Sequence, residues 1–271
     1  MRHDLTNATF IIPVRIETDD RLRNVITTTA FLLENFDTNI IIKEVDKESN
    51  VVKHAIPILK EIVDVEVNIK HIFEKSENSS FHRQKILNEM LVETNTDVII
   101  NYDCDVILPI NSYITSYNQI LNKKYDIIYP YGQGNYQKQV NVDDEIVSEF
   151  LETGDYSVLD KKSNIHTSDF GWAQFFNRQV YIDGFMENEN FVAYAPEDKE
   201  RFYRFSTLGY NIGRIQNFVY HLEHARSENS WTHNPYMESN NYEWMKLSKM
   251  NKEELIEYYS NQKYLKKYVS I

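Results

Sequence analysis

Asp103 and Asp105 stand one residue apart in "VIINYDCDVILP" (98–109), at the end of an apolar run. Val98, Ile99 and Ile100 have the pattern of a buried strand, where a carboxylate is rarely tolerated unless paired, hydrogen-bonded or bound to a cation. Two carboxylates at i and i+2 can approach one hard cation, directly or through a diphosphate or ribose. Mg²⁺ and Mn²⁺ suit such a site, because they favour oxygen ligands and keep phosphate oxygens and waters in their shell. The same two residues can instead be turn carboxylates that cap the next helix.

Three further groups could do chemistry. His221 and His224 of "HLEH" follow the apolar run Phe218–Tyr220. An imidazole there can join carboxylates around a cation, or simply be a hydrogen-bonded residue at a strand end. Glu197 and Asp198 of "PEDKE" can satisfy free N–H groups in the first turn of a helix. Alternatively, one is a general base and the other binds an acceptor hydroxyl. Arg15, Glu17 and Arg83 are placed to meet a nucleotide diphosphate or base, since guanidinium forks match phosphate oxygens; singly, each is an ordinary surface charge.

These residues need elements to position them. "ATFIIPVRI" (8–16) reads as a strand that stops at Pro13, and 21–36 spaces Val25, Ile26, Phe31, Leu32 and Phe36 at helical intervals. A second strand over 38–46 completes a βαβ unit of a parallel sheet. Residues 51–62 predict a helix opened by Pro57, 65–73 a third strand, 81–94 an amphipathic helix and 97–103 a fourth strand. The aspartates then lie beyond the carboxyl end of that strand, where ligands bind in open α/β sheets. Residues 139–169 are acidic and weakly periodic, and are expected to be a mobile insertion, helical over 143–151. Further on, the pattern predicts a strand over 173–177, a helix over 196–208, a late strand over 217–224 and a terminal helix over 251–268.

Composition excludes several classes. A net charge of −12 over 271 residues argues against an extended nucleic-acid surface. The single cysteine, Cys104, rules out an internal disulfide framework. No apolar stretch approaches the roughly 20 residues of a membrane span, and "MRHDLTNATF" lacks the apolar core of a signal peptide. The chain is therefore expected in the cytoplasm. Its tail, "NQKYLKKYVSI", mixes lysines with apolar residues and can meet the inner face of a membrane.

Five segments in order carry a resemblance: "FIIPVRIETDDRL", "FHRQKILNEML", "YDCDVIL", the block from "FFNRQVYIDGF" to "PEDKERFYRFSTLGY", and "YHLEHARSEN". Together they resemble the GT-A glycosyltransferases. They look most like the branch of β-1,4-galactosyltransferases, bacterial chondroitin polymerase domains and polypeptide N-acetylgalactosaminyltransferases. The resemblance implies a Rossmann-like α/β fold, with a mixed, mostly parallel sheet flanked by helices, an acceptor-side insertion and a C-terminal helix. It implies one domain over 1–250, with a nucleotide-sugar half (1–110) and an acceptor half (111–250), followed by a helical tail (251–271).

The implied activity is transfer of a hexose or N-acetylhexosamine from a UDP-sugar to a glycan or lipid-linked saccharide, aided by Mn²⁺ or Mg²⁺. Asp105 would bind the metal, and Asp103 the metal, ribose or donor sugar. His221 would be the late ligand, with His224 as the alternative. Asp198 would be the base and Glu197 its neighbour at the sugars. Pro13, Arg15 and Arg83 would line the nucleotide pocket, with Asp46 at the uracil or ribose. Where the family has a turn rich in Trp and Gly, this chain has "FVAYAP", so Tyr194 is the candidate stacking surface. The branch also contains retaining enzymes; a silent sugar-nucleotide-binding module is the non-enzymatic alternative.

Overall fold

Leu5 and the unbroken run Ala8–Ile16 are buried, which is the signature of a strand covered on both faces. That strand, β1 (His3–Val14), begins five residues before the expected start. In the computed structural model, which describes residues 2–167, 170–226 and 234–268, it lies parallel between β2 (Phe36–Asp46) and β4 (Val98–Tyr102). Parallel neighbours require a crossover. Helix α1 (Asp19–Asn35) supplies one, with the Thr18 side chain accepting from the Arg21 N–H at its start.

Among the described residues, the main sheet has seven strands. Its order is β10 (Ile212–Arg214), β6 (Ile127–Tyr129), β9 (Ala173–Asn177), β4, β1, β2 and β3 (Lys70–Lys75). Only β9 runs antiparallel to its neighbours. Strand β3 starts later than the expected 65–73. Its only partner among the described residues, β2, is paired from Ile41↔Lys70 to Asp46↔Lys75, so the alternating Val65, Val67 and Ile69 pack half-buried without a ladder. The helix expected over 51–62 opens with a π-helical turn, Val51–Ala55, and continues as α2 (Ile56–Ile62) with Pro57 in its first turn. Buried Glu44 accepts from the Asn50 and Val51 N–H groups at that opening. Helices α3 (Arg83–Val92) and α4 (Ile110–Leu121) flank the sheet.

A second sheet of four strands has the order β5 (Val106–Ile107), β11 (Val219–Leu222), β7 (Gln137–Val140) and β8 (Ser163–Ile165). The helix expected over 143–151 is present, and the weakly periodic stretch around it joins this sheet. Residues 139–167 contribute to two strands of this sheet and form two helices, α5 (Asp144–Thr153) and α6 (Tyr156–Asp160); Ser168 and Asp169 fall outside the described residues. Asp143 caps α5 by accepting from the Ile146 N–H, and Gly154 ends it at φ 64°. Phe150 stacks on Phe31 of α1 at 5.8 Å. Elements this short leave little periodicity in the sequence.

The C-terminal half adds α7 (Arg178–Asp183), α8 (Glu197–Leu208), α9 (Met237–Leu247) and α10 (Lys252–Ser260). The terminal helix stops at Ser260 rather than 268. The tail then makes a 3₁₀ turn over Leu265–Lys267, with Tyr264 and Leu265 buried against the core. The Tyr259 hydroxyl donates to Glu200 at 2.5 Å and so ties α10 to α8. No helix among the described residues is long and apolar enough to cross a membrane. Phe150→Ala should lower the unfolding free energy by about 3–5 kcal/mol, because it removes a packed aromatic from the α1–α5 contact. Urea titration measures this; a loss below about 1 kcal/mol would mean that 139–167 is not part of the core.

Candidate active site

Strand β4 ends at Tyr102, and Asp103–Asp105 carry the chain from the main sheet into the second one, where β5 begins. Strand β5 is antiparallel to β11, with Val106 opposite His221. The Leu222 N–H donates to the Asp105 carbonyl at 2.8 Å, so backbone pairing itself sets Asp105 beside His221. Buried Asn24 of α1 donates to the Leu222 carbonyl at 2.8 Å and fixes the strand from behind. The Asp103 N–H is held by the Trp172 carbonyl at 3.0 Å.

Both histidines face one carboxylate. His224 Nε2 lies 3.1 Å and His221 Nε2 3.5 Å from Asp105 Oδ2. One candidate ligand atom from each of the three residues lies within 4.8 Å of the others. The opposite ring nitrogens are held as well: His221 Nδ1 is 3.0 Å from Glu223 Oε1, and His224 Nδ1 is 2.8 Å from the Ala225 carbonyl. An N–H donated from Nδ1 leaves Nε2 with its lone pair facing inward, the arrangement found behind metal-binding histidines. Burial raises the Asp105 pKa, but the two imidazoles overcome this and hold it well below the usual carboxylate range. Burial lowers His221, yet Asp105 and Glu223 push it up to about 9. One carboxylate oxygen and two oriented imidazoles thus form a donor set that fits a divalent cation.

Asp103 faces elsewhere. Arg83, at the start of α3, donates to its Oδ1 at 2.6 Å. Burial raises the Asp103 pKa, with Arg83 pulling against it. The three-residue cluster consists of Asp105, His221 and His224, with Asp103 beside it on the Arg83 side.

The second acidic pair opens α8. Glu197 is buried, and its Oε2 has no hydrogen-bond partner among the described residues. Burial and the neighbouring Asp198 push its pKa up to about 8, so it carries a proton near neutral pH. Asp198 Oδ1 accepts from Arg201 Nη1 at 2.6 Å. Arg201 is itself held by Glu187, through Nε at 2.7 Å and Nη2 at 2.9 Å.

One cavity of about 390 Å³ is lined by both constellations, together with Pro13, Arg83, Trp172 and Tyr194. Arg15, Glu17 and Asp46 lie outside its lining. Arg15 spans the Val45 carbonyl at 2.9 Å and the Ser79 carbonyl at 2.7 Å. Asp46 accepts from the Ile16 N–H at 3.0 Å and the Lys47 N–H at 2.7 Å. Glu17 pairs at 3.7 Å with Arg21, which does line the cavity. Sequence reasoning missed Trp172, Glu187, Arg201 and Glu223. Arg201 alone left a readable signal, being i+3 from Asp198 on one helix face.

Solved structures share this architecture. TarS of S. aureus (1–349), in complex with UDP-GlcNAc, matches with a TM-score of 0.59 at 11% identity, over 92% of this chain and 69% of that one. The mannosyltransferase PcManGT from Pyrobaculum calidifontis, in complex with GDP-Man and Mn²⁺, matches with a TM-score of 0.50 at 10% identity, over 80% of this chain. The fold is the GT-A glycosyltransferase fold. The chain spans 56% of the length of PcManGT and 36% of the longer S. aureus TarS structure. No family model and no curated protein matches the sequence. In this GT-A fold, the D-x-D segment sits where the two sheets meet, with His221 of β11 and His224 just beyond it across that seam.

Cation binding should depend on pH with a definite sign. A cation needs His221 unprotonated, and His221 holds its proton up to about 9. Mn²⁺ affinity should therefore rise by up to about tenfold per pH unit from 6 towards 9. Glu223→Gln should weaken it by about 10- to 100-fold. Paramagnetic resonance of free Mn²⁺ reads both; affinity independent of pH and of Glu223 would count against the cluster as a metal site.

Proposed function

We propose that the protein is a metal-dependent glycosyltransferase. In this reading it moves a hexose or N-acetylhexosamine from a UDP-sugar to a hydroxyl of a glycan or lipid-linked saccharide, with inversion at the anomeric carbon. The observation that carries the reading is the single cavity joining Asp105, His221 and His224 to Glu197 and Asp198. A fold shared with proteins solved with UDP-GlcNAc, or with GDP-Man and Mn²⁺, supports it. The five ordered motifs support kinship with the galactosyltransferase and chondroitin polymerase branch. A setting in bacterial surface polysaccharide synthesis, on the cytoplasmic side of the membrane with the lysine-bearing tail towards it, belongs to the same proposal.

The residues divide the work. Asp105, His221 and His224 would hold the cation, and two imidazoles favour Mn²⁺ over Mg²⁺, which prefers oxygen ligands. Held there, such an ion would supply Lewis-acid stabilisation of a diphosphate leaving group. Asp103, held by Arg83, is a rigid acceptor for a ribose or sugar hydroxyl. Trp172 and Tyr194 offer ring faces to a sugar. Asp198 takes the proton from the acceptor hydroxyl as it attacks the anomeric carbon. Glu197, protonated near neutral pH, donates a hydrogen bond to a sugar oxygen through Oε2, which has no other partner among the described residues.

A panel of UDP-hexoses, UDP-N-acetylhexosamines and GDP-mannose, screened for Mn²⁺-dependent nucleotide release, tests the activity. Asp105→Asn should lose both UDP–Mn²⁺ binding and turnover. Asp198→Asn should keep UDP–Mn²⁺ affinity within about twofold and lose about 10²-fold or more in turnover. If Asp198→Asn works at the parent rate, the assignment of the base is wrong.

A further inference from the structure

Arg201 is buried within the first turns of α8, with only 1% of its side chain exposed. A guanidinium cannot shed its charge, so burial demands partners for its donors. Glu187 balances the charge alone, taking Nε and Nη2 in a bidentate fork. The remaining edge is committed elsewhere: Nη1 donates to Asp198 Oδ1 at 2.6 Å and reaches Gln174 Oε1 at 3.4 Å. The charge balance of a structural ion pair does not require that third contact.

We propose that Arg201 is a positioning residue that fixes the Asp198 carboxylate for the acceptor hydroxyl, and that Glu187 anchors Arg201 for that purpose. The proposal rests on Asp198 being the general base. An aspartate in the first turn of a helix has several staggered rotamers open to it, and the fork selects one. Oδ1 is occupied by Nη1, so Oδ2 is the oxygen left to receive the proton.

Glu187 is itself rigidly placed. It accepts from the Tyr181 hydroxyl at 2.5 Å and from Asn101 Nδ2 at 3.3 Å. Its backbone N–H donates to Asn88 Oδ1 at 2.8 Å, and its carbonyl accepts from Asn88 Nδ2 at 3.0 Å. Asn101 belongs to β4, two residues before Asp103. Asn88 belongs to α3, the helix that carries Arg83 to Asp103. The frame that aims Asp198 is therefore the frame that holds the D-x-D segment. A lysine would not reproduce the frame, because an ammonium cannot bridge Glu187 by a fork and reach Asp198 with its other edge.

The test is a double-mutant cycle, with UDP release from UDP-GlcNAc and Mn²⁺ as turnover and UDP–Mn²⁺ titration as binding. Arg201→Met with Glu187→Gln removes both charges of the buried pair, a change that proteins often tolerate. This variant should bind UDP–Mn²⁺ within about twofold of the parent and lose about 10- to 100-fold in turnover, the scale of a misplaced reacting group. Introduced into Asp198→Asn, the same pair should change turnover by less than about twofold. Arg201→Lys, measured beside them, should lose turnover with UDP–Mn²⁺ binding intact, and it decides the matter if the double variant shows no cooperative melting. A folded variant at the parent rate overturns the proposal. So does a loss of equal size in the Asp198→Asn background, or a parallel loss of turnover and UDP binding. A parent rate in Asp198→Asn alone overturns the base assignment, and with it the clamp, and is seen without touching Arg201.

Discussion

Asp105 is a buried carboxylate that cannot be left alone, and much of the structure follows from how it is accommodated. Two imidazoles converge on Oδ2, and its carbonyl accepts from Leu222, so one residue is held at both ends by β11. The requirement is electrostatic. An unpaired carboxylate at this depth would be expelled or protonated. Supplying the partners takes a strand from a sequence more than a hundred residues away, which is why the second sheet exists where it does. Strand β5 is only two residues long, yet those residues bring the His221 register opposite the D-x-D segment.

The other acidic residues are handled by different means, and the differences separate their chemistry. Asp103 is paired with Arg83, Asp198 with Arg201, and Glu197 Oε2 with nothing described. Four carboxylates line one cavity of a chain whose net charge is already −12. Each has its own way of limiting repulsion: an imidazole pair, a guanidinium on either side, and a retained proton. This variety of environments would let neighbouring carboxyl groups take the separate roles proposed for them, of ligand, acceptor, base and donor.

Much of this was legible in the sequence where a strong local signal existed. The strand Ala173–Asn177 and the end of α8 at Leu208 fall where the pattern put them, because apolar runs and the Pro-Glu-Asp start are unambiguous. Asp103, Asp105, Glu197, Asp198, His221 and His224 were singled out by their chemistry and order, and all six line one cavity. What could not be read depends on contacts distant in sequence. Strands of three or four residues carry little periodicity, so β7 and β8 went unread within the stretch 139–169, whereas the apolar run of β11 was read. The two histidines stayed as alternatives because their shared contact with Asp105 arises only when β11 pairs with β5. Arg15 and Asp46 lie outside the lining of that cavity, and the sequence does not show that Arg15 reaches two carbonyls of its own chain.

The segment "FVAYAP" shows how a departure from the family pattern is compensated. Ala193 and Ala195 have φ of 59° and 57°, a region that costs a residue with a Cβ roughly 1–2 kcal/mol and that glycine enters freely. The surrounding structure over-determines the turn instead. Asn240 of α9, fully buried, donates to the carbonyls of Val192 and Ala195, both at 2.9 Å, and accepts from the Val192 N–H at 3.2 Å. Asn234 adds a bond to the Tyr194 carbonyl at 2.7 Å. A helix outside every recognised motif thus holds Tyr194 at the cavity, in the turn that leads into Glu197 and Asp198. Glycines would make this turn easy to form but also easy to leave; alanines strapped by asparagines exchange that freedom for a fixed aromatic surface. The wall of the cavity beside the acidic pair is therefore set by α9 as much as by the pair itself.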